Sequence, residues 1–96
     1  AVADLPNPEK YEFGQILGQT EQALGNYAQS ITYYKDYLAS FGTNLNVLNA
    51  VGECYFKAGD IPQALTAWKK SLEINPNQAE LKKRVDALDR KAGEKR

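Results

Sequence analysis

Apolar residues in the second half of the chain recur every three or four positions, with polar residues between them. The first stripe comprises Leu48, Val51, Cys54, Tyr55 and Ala58. A second stripe comprises Leu65, Trp68 and Leu72. Because an α-helix completes a turn in about 3.6 residues, this spacing puts each set on one helical face. The pattern therefore predicts two consecutive helices, each with one buried face.

Glycine and proline mark where these helices begin and end. Gly59-Asp60 separates the two stripes and combines a glycine stop with an aspartate that can cap the next helix. Pro62 fits a first helical turn, where its missing N–H costs little. Pro76, within an Asn-Pro-Asn segment, ends the second helix because proline cannot continue one. We therefore predict a helical hairpin with a short turn at Gly59-Asp60.

The same arrangement occurs 34 residues earlier in the chain. When residues 11–44 are aligned with 45–78 without a gap, six positions are identical. These pairs are Gly18/Gly52, Gly25/Gly59, Gln29/Gln63, Thr32/Thr66, Lys35/Lys69 and Leu38/Leu72. Since the apolar stripes agree in the same register, we predict two copies of one helix–turn–helix unit. Glycine at 18 and 52 would let the second helix of each copy lie close against the first.

The tail repeats the beginning of a third copy, because KAGE at 91–94 follows KAGD at 57–60 at the same offset. Its apolar stripe comprises Leu81, Val85, Leu88 and Ala92, and its charged face comprises Lys82, Lys83, Arg84, Asp86, Asp89 and Arg90. Asp86 takes the place of Gly18 and Gly52, where close packing of another helix would leave a carboxylate without water. We predict a capping helix that covers one neighbour and turns its charges to solvent.

Two antiparallel helices per 34 residues, with glycine inside the first helix and at the turn, form an arrangement that resembles the tetratricopeptide repeat (TPR). The residues that carry the resemblance are Leu48, Val51, Gly52, Tyr55, Gly59, Ala64, Trp68 and Pro76. The first copy departs from the family pattern at Gly14, Glu21, Ser30 and Tyr37, which predicts looser packing of its first helix. The resemblance implies an all-α fold, a right-handed superhelical stack of antiparallel helix pairs with about five helices.

The register divides the chain into four segments. Residues 11–44 and 45–78 are the predicted repeats, and 79–96 are the capping helix and tail. Two interpretations remain for residues 1–10. Asn7-Pro8 is in phase with Asn75-Pro76, so the segment is either the end of a preceding repeat or a capping residue and first turn. Methionine is absent, even from position 1, so we expect a processed product or a piece of a larger protein.

Composition argues against several classes of function. Twelve basic and twelve acidic side chains balance, and the basic residues of the tail stand among acids, so we expect no nucleic-acid partner. Apolar runs are too short for membrane insertion. Histidine is absent, and Cys54, the only cysteine, lies on an inward stripe as a structural thiol would. With no phosphate loop or nucleophile motif, we expect neither enzymatic activity nor a cofactor or metal site.

A stack of helix pairs leaves a concave groove lined by the first helix of each pair. The predicted groove residues are Glu12, Gln15, Gln19, Gln22, Asn46, Asn49, Glu53, Phe56 and Lys83, and Glu80 and Arg90 continue the stripe. Amide side chains offer both donors and acceptors, which suits the backbone of an extended peptide. A merely solvated face remains the alternative. The TPR subgroup that clamps chaperone C-terminal carboxylates uses Lys and Asn on the first helix and Lys and Arg on the fifth. Those places here hold Gln15 and Gln19, then Glu80 and Arg84. Only the arginine matches, so we reject that specificity.

The resemblance implies a protein–protein interaction module, such as a scaffold or adaptor, whose partner is a peptide or protein segment. We expect a monomer or a weak homo-oligomer. The alternative is a structural spacer or self-association element without a peptide ligand, with Tyr33 and Tyr37 as a candidate contact surface. The sequence identifies neither the partner nor the cellular compartment.

Overall fold

The computed structural model describes residues 7–94, with side chains for 13–91, and the described chain is five α-helices joined by short turns. The helices are α1 (Asn7–Ala23), α2 (Tyr27–Phe41), α3 (Leu45–Lys57), α4 (Ile61–Ile74) and α5 (Ala79–Glu94). Each helix packs on the next one along the chain, because short connections force neighbours to run antiparallel. The all-helical fold predicted from the sequence is confirmed. The proposed boundaries at 10/11, 44/45 and 78/79 stay predictions, and residues 1–6 lie outside the described part.

The two turns inside the helix pairs share one hydrogen-bond pattern. In the second, the N–H of Gly59 donates to the Phe56 carbonyl and that of Asp60 to the Tyr55 carbonyl, at 3.1 and 2.8 Å. Gly25 and its neighbour repeat this arrangement between α1 and α2. Gly25 and Gly59 have φ of +81° and +88°, a left-handed conformation that residues with a Cβ adopt at a cost. The predicted glycine stops are confirmed.

Side-chain caps differ between the two pairs. Asp60 accepts a hydrogen bond from the Gln63 N–H at 3.3 Å, and Pro62 lies in the first turn of α4, as predicted. Asn26, at the same place before α2, makes no cap bond; its amide donates instead to the Glu21 carboxylate at 2.8 Å. The first turn is therefore tied back to the helix that precedes it.

Each helix pair is closed by an aromatic ring lying on a glycine. A Cβ added at Gly18 would lie 2.5 Å from Cε1 of Tyr34, and one added at Gly52 would overlap the indole of Trp68. Both rings are buried, and the Trp68 N–H donates to the Asn49 carbonyl of α3 at 3.1 Å. The predicted close approach at positions 18 and 52 is confirmed.

The first pair compensates for its departure from the family pattern at Gly14. A Cβ there would lie 3.0 Å from the Tyr33 carbonyl oxygen and 3.4 Å from Cβ of Tyr37. The in-register residues of the second pair are Leu48 and Ser71, both buried. In the first pair the larger residue of the two is Tyr37, on the second helix. In the second pair the larger residue is Leu48, on the first helix. The looser packing expected at Gly14 is wrong, because Tyr37 occupies the space.

The core continues from α2 to α5 in two clusters. One joins α2 to the second pair around Tyr34, Val51 and Cys54, and the other joins α4 to α5 around Trp68 and Val85. Beside its apolar stripe α5 carries exposed charges: Asp86 lies 3.6 Å from Lys82 of the same helix, and Asp89 lies 3.0 Å from Lys69 of α4. Its charged face supports the interpretation of α5 as a cap. Across the described residues, no helix combines the length and apolar character needed to cross a membrane.

Candidate partner-binding groove

The predicted groove residues, which we call the groove face, lie on α1, α3 and α5. The register puts Gln15, Asn49 and Lys83 at equivalent positions of the three helices. Glu12 belongs to α1, but its side chain is outside the described residues. The groove face remains a prediction as a binding site, and its side chains differ in how they are engaged.

Three of these side chains carry amides that are available to a ligand. Gln19 and Asn46 are exposed, and Gln15 is half-buried. Within residues 13–91, their side-chain amides make no hydrogen bond to another side chain or to the backbone. Each amide presents two N–H donors and one acceptor oxygen to solvent. These positions can exchange water for the backbone of a bound segment without breaking a side-chain hydrogen bond among residues 13–91.

Gln22 and Asn49 have internal roles. Gln22 accepts a hydrogen bond from the Tyr34 hydroxyl at 2.8 Å, which satisfies the polar end of a buried ring. The Asn49 amide donates to Oε1 of Gln78 at 2.9 Å, and Gln78 in turn donates to Ser71 and Asn75. These bonds tie the start of α5 to α3 and α4. We therefore assign Gln22 and Asn49 to the structure of the groove wall.

Arg84 is a major residue of this surface, although the sequence assigned it to the charged, solvent-facing side of α5 and not to the predicted groove residues. Its Nη1 donates to a carboxylate oxygen of Glu53 at 2.8 Å. Its guanidinium lies 4.5 Å from the ring centroid of Phe56 and 4.6 Å from that of Trp68. Two predicted groove residues, Glu53 and Phe56, are thus occupied by an arginine of the same chain. The available signal was the position of Arg84, which lies on the apolar side of α5 next to Val85 in an otherwise aliphatic stripe.

Lys83 extends beyond this cluster at the α5 end of the groove face. It lies 3.7 Å from Glu80, and both side chains are well exposed, so their attraction is weak. Glu80, Leu81, Lys83 and Arg84 line a shallow depression there. The α5 end is therefore the charged part of a groove face that is otherwise mostly amide.

Cys54 is fully buried away from the groove face, as the sequence predicted. Its thiol donates to the Ser30 hydroxyl at 3.4 Å, and Ser30 donates to the Gly18 carbonyl at 2.7 Å. Burial raises the pKa of Cys54, and it also raises the pKa of Tyr34, because the charged forms lose hydration. A neutral thiol without solvent access is a poor nucleophile. Over residues 13–91 there is also no cluster of three or more cysteine, aspartate or glutamate side chains suited to a metal ion.

The raised pKa of Cys54 predicts that stability falls at alkaline pH. The unfolded thiol ionises near its ordinary value of 9.0, whereas the native thiol keeps its proton to higher pH. Above about pH 9 the native state therefore binds more protons, and the free energy of unfolding falls as pH rises. We expect the urea midpoint of Cys54→Ala to fall less steeply between about pH 8 and 10 than that of the unaltered chain. Equal slopes would show that the thiol stays protonated equally in both states.

Comparisons with known proteins agree with the repeat geometry. Residues 46–78, which run from the second residue of α3 past the end of α4, match the family model described as tetratricopeptide repeat. The chain is also 35% identical over 90 residues to a TPR repeat-containing protein of Methanocaldococcus jannaschii. That match covers 93% of this chain and 15% of the relative, so the chain spans a small part of the relative's length. Residues 46–78 are therefore a tetratricopeptide repeat, and the five helices, with glycines at the close approaches and turns, give the described chain the same repeat architecture.

Proposed function

We propose that this chain is a protein–protein interaction module that binds an extended segment of a partner protein along the groove face. The match to the TPR family supports the general role, since TPR units typically act as interaction modules rather than enzymes. The observation that carries the more specific proposal is the set of amides at Gln15, Gln19 and Asn46, which make no side-chain hydrogen bond within residues 13–91. They face solvent on the first helix of each pair, whereas the aromatic residues of the core are enclosed.

The chemistry of the groove face favours a ligand recognised through its backbone. Amides donate and accept, so they can pair with peptide N–H and C=O groups whatever the ligand's side chains are. Charge enters mainly at the α5 end, through Lys83 and Glu80. Arg84 is already paired with Glu53, so a ligand carboxylate would have to displace an existing ion pair. We therefore propose a neutral or mixed-charge segment as the ligand, not a strongly acidic terminus.

The alternative role, a spacer or self-association element built on Tyr33 and Tyr37, has less surface to use. Both side chains are half-buried. Tyr37 packs against the α2–α3 core, and its ring centroid lies 5.0 Å from that of Phe41. Little of this pair remains for a second molecule to cover.

We expect a peptide selected from a random-sequence display library to perturb the NMR signals of the Gln15, Gln19 and Asn46 amides. Gln19→Ala and Asn46→Ala should each weaken its binding roughly two- to tenfold, because each removes one or two hydrogen bonds worth about 0.5–1.5 kcal/mol. Gln29→Ala, at an exposed position on α2, is the matched control and should leave the affinity unchanged. Shifts confined to α2 and α4, or equal affinities for all three variants, would contradict the groove face as the site.

A further inference from the structure

The guanidinium of Arg84 has two aromatic rings on one of its planar faces. The ring centroids of Phe56 and Trp68 lie 4.5 and 4.6 Å from the guanidinium carbon, and 5.9 Å from each other. Rings on opposite faces would be separated by nearly the sum of the first two distances, so both rings lie on the same side. The side chain of Arg84 is 40% exposed. Within residues 13–91, the opposite face, which we call the free face of Arg84, has no ring against it.

The edge of the same guanidinium is already occupied. Its Nη1 donates to a carboxylate oxygen of Glu53 at 2.8 Å. Because the five N–H donors of a guanidinium lie in its plane, carboxylates pair with the edge, and the flat face offers them no donor. That face is weakly hydrated and attracts the negative π-face of an aromatic ring. The free face of Arg84 therefore favours a ring over a carboxylate.

The surroundings of Arg84 add apolar surface for such a ring. Arg84 lines the shallow depression at the α5 end of the groove face, together with Glu80, Leu81 and Lys83. Leu81 is half-buried and packs against the α4 residues of the core. Lys83 can lay its aliphatic stem along a bound side chain while its ammonium group stays in water. The depression thus combines a planar cation with apolar contacts.

We propose that the free face of Arg84 binds an aromatic side chain of the partner segment, which stacks on the guanidinium opposite Phe56 and Trp68. The proposal rests on the proposed function, because the segment is the one that lies along the groove face. It narrows the ligand to a neutral or mixed-charge segment with phenylalanine, tyrosine or tryptophan at the α5 end. A nucleobase also has a π-face, but Glu53 and Glu80 balance Arg84 and Lys83. The site therefore offers a phosphate backbone no net attraction.

The first test uses a single aromatic side chain, so that it needs no peptide in the groove. N-acetyl-phenylalanine amide is titrated into the 96-residue chain. N-acetyl-cyclohexylalanine amide, which has a similar size and no π system, is the matched control. We expect the aromatic amide to bind roughly two- to fivefold more tightly. Its ring current should move the NMR signals of the Arg84 Nε–H and the Leu81 methyl groups upfield. The signals of Arg90, an exposed arginine on the same helix, should stay unchanged.

The second test uses peptides selected for binding to the chain from the random-sequence library. Replacing their aromatic residues by leucine, one at a time, should weaken binding roughly two- to fivefold at one position and abolish the upfield shift at Arg84. Arg84→Lys keeps the charge and loses the planar group. It should therefore remove the difference in affinity between the aromatic peptide and its leucine form. Arg90→Ala is the control and should preserve that difference.

The outcomes separate this proposal from the groove face itself. Equal affinities of the two amides, or no shift at Arg84 with either, would overturn the stacking site. Peptides that perturb the Gln15, Gln19 and Asn46 amides, yet bind equally well with leucine at every aromatic position, would also overturn it and leave the groove face standing. If the aromatic amide stacks on Arg84 while no peptide perturbs those amides, the stacking site is supported and the groove face alone is contradicted. Tighter binding of adenosine monophosphate than of the aromatic amide at Arg84 would overturn the proposal in favour of a nucleobase.

Discussion

We expect Gly52→Ala to lower the free energy of unfolding by about 1–3 kcal/mol, because the added methyl overlaps the Trp68 indole. The indole cannot easily retreat: it is 1% exposed, it donates to the Asn49 carbonyl, and the guanidinium of Arg84 lies over it. For a domain of this size, each kcal/mol lost corresponds to a melting temperature roughly 4–8 °C lower. Urea denaturation followed by the fluorescence of Trp68, the only tryptophan, measures the change.

The sign of this effect is diagnostic. At an open helical position, alanine in place of glycine would raise stability by roughly 1 kcal/mol, through helix propensity alone. A double-mutant cycle with Trp68→Leu isolates the contact, with unfolding of all four proteins followed by circular dichroism because two of them lack the tryptophan. Trp68→Leu leaves room beside position 52, so Gly52→Ala should cost clearly less in that background. A higher melting temperature for Gly52→Ala alone, or equal costs in both backgrounds, would refute the packing described for the second pair.

The second large effect concerns the attachment of α5. We expect Arg84→Ala to lower the free energy of unfolding by roughly 1–2 kcal/mol, because it removes the contacts of the guanidinium with two aromatic rings and a carboxylate. Part of the ion-pair energy is lost to solvent screening, since the side chains of Arg84 and Glu53 are 40% and 29% exposed. Hydrogen exchange should show faster opening of α5 than of α3 in this variant.

Matched variants separate the ionic contact of Arg84 with Glu53 from its contacts with the two aromatic rings. Arg90→Ala removes an exposed arginine from the same helix and should change stability by less than about 0.5 kcal/mol. Arg84→Lys keeps the charge but loses the planar group that lies over Phe56 and Trp68, so it should restore less than half of the loss. High salt should weaken the contribution of the Arg84–Glu53 ion pair to the free energy of unfolding and should leave the contribution of the ring contacts nearly unchanged. Full recovery with lysine would mean that charge alone attaches α5.

The helices and their closest contacts could be predicted because they depend on local spacing. A period of 34 residues, with glycine at 18 and 52, indicates an inward face on each first helix and a close approach of the second helix at each glycine. The structure places Tyr34 and Trp68 there. The glycine stops are equally local, since the left-handed conformation at Gly25 and Gly59 is a property of the residue itself.

The engagement of the groove face could not be predicted in the same way. Spacing assigns a residue to a face of its own helix, but it does not say which side chain of another helix reaches it. Gln22 and Glu53 were expected to face a ligand, yet one binds Tyr34 and the other binds Arg84, 31 residues away in the chain. Such contacts depend on distances between helices and on long side chains that extend past their own face.

The alternation of size at Gly14/Tyr37 and Leu48/Ser71 also bears on folding fidelity. Similar helix hairpins in one chain can exchange partners during folding, a common route to misassembly in repeat proteins. Pairing α1 with α4 would set Gly14 against Ser71 and leave a void, whereas pairing α3 with α2 would set Leu48 against Tyr37 and overfill the space. Each first helix therefore fits only its own second helix, so two nearly equivalent hairpins remain distinguishable to the folding chain.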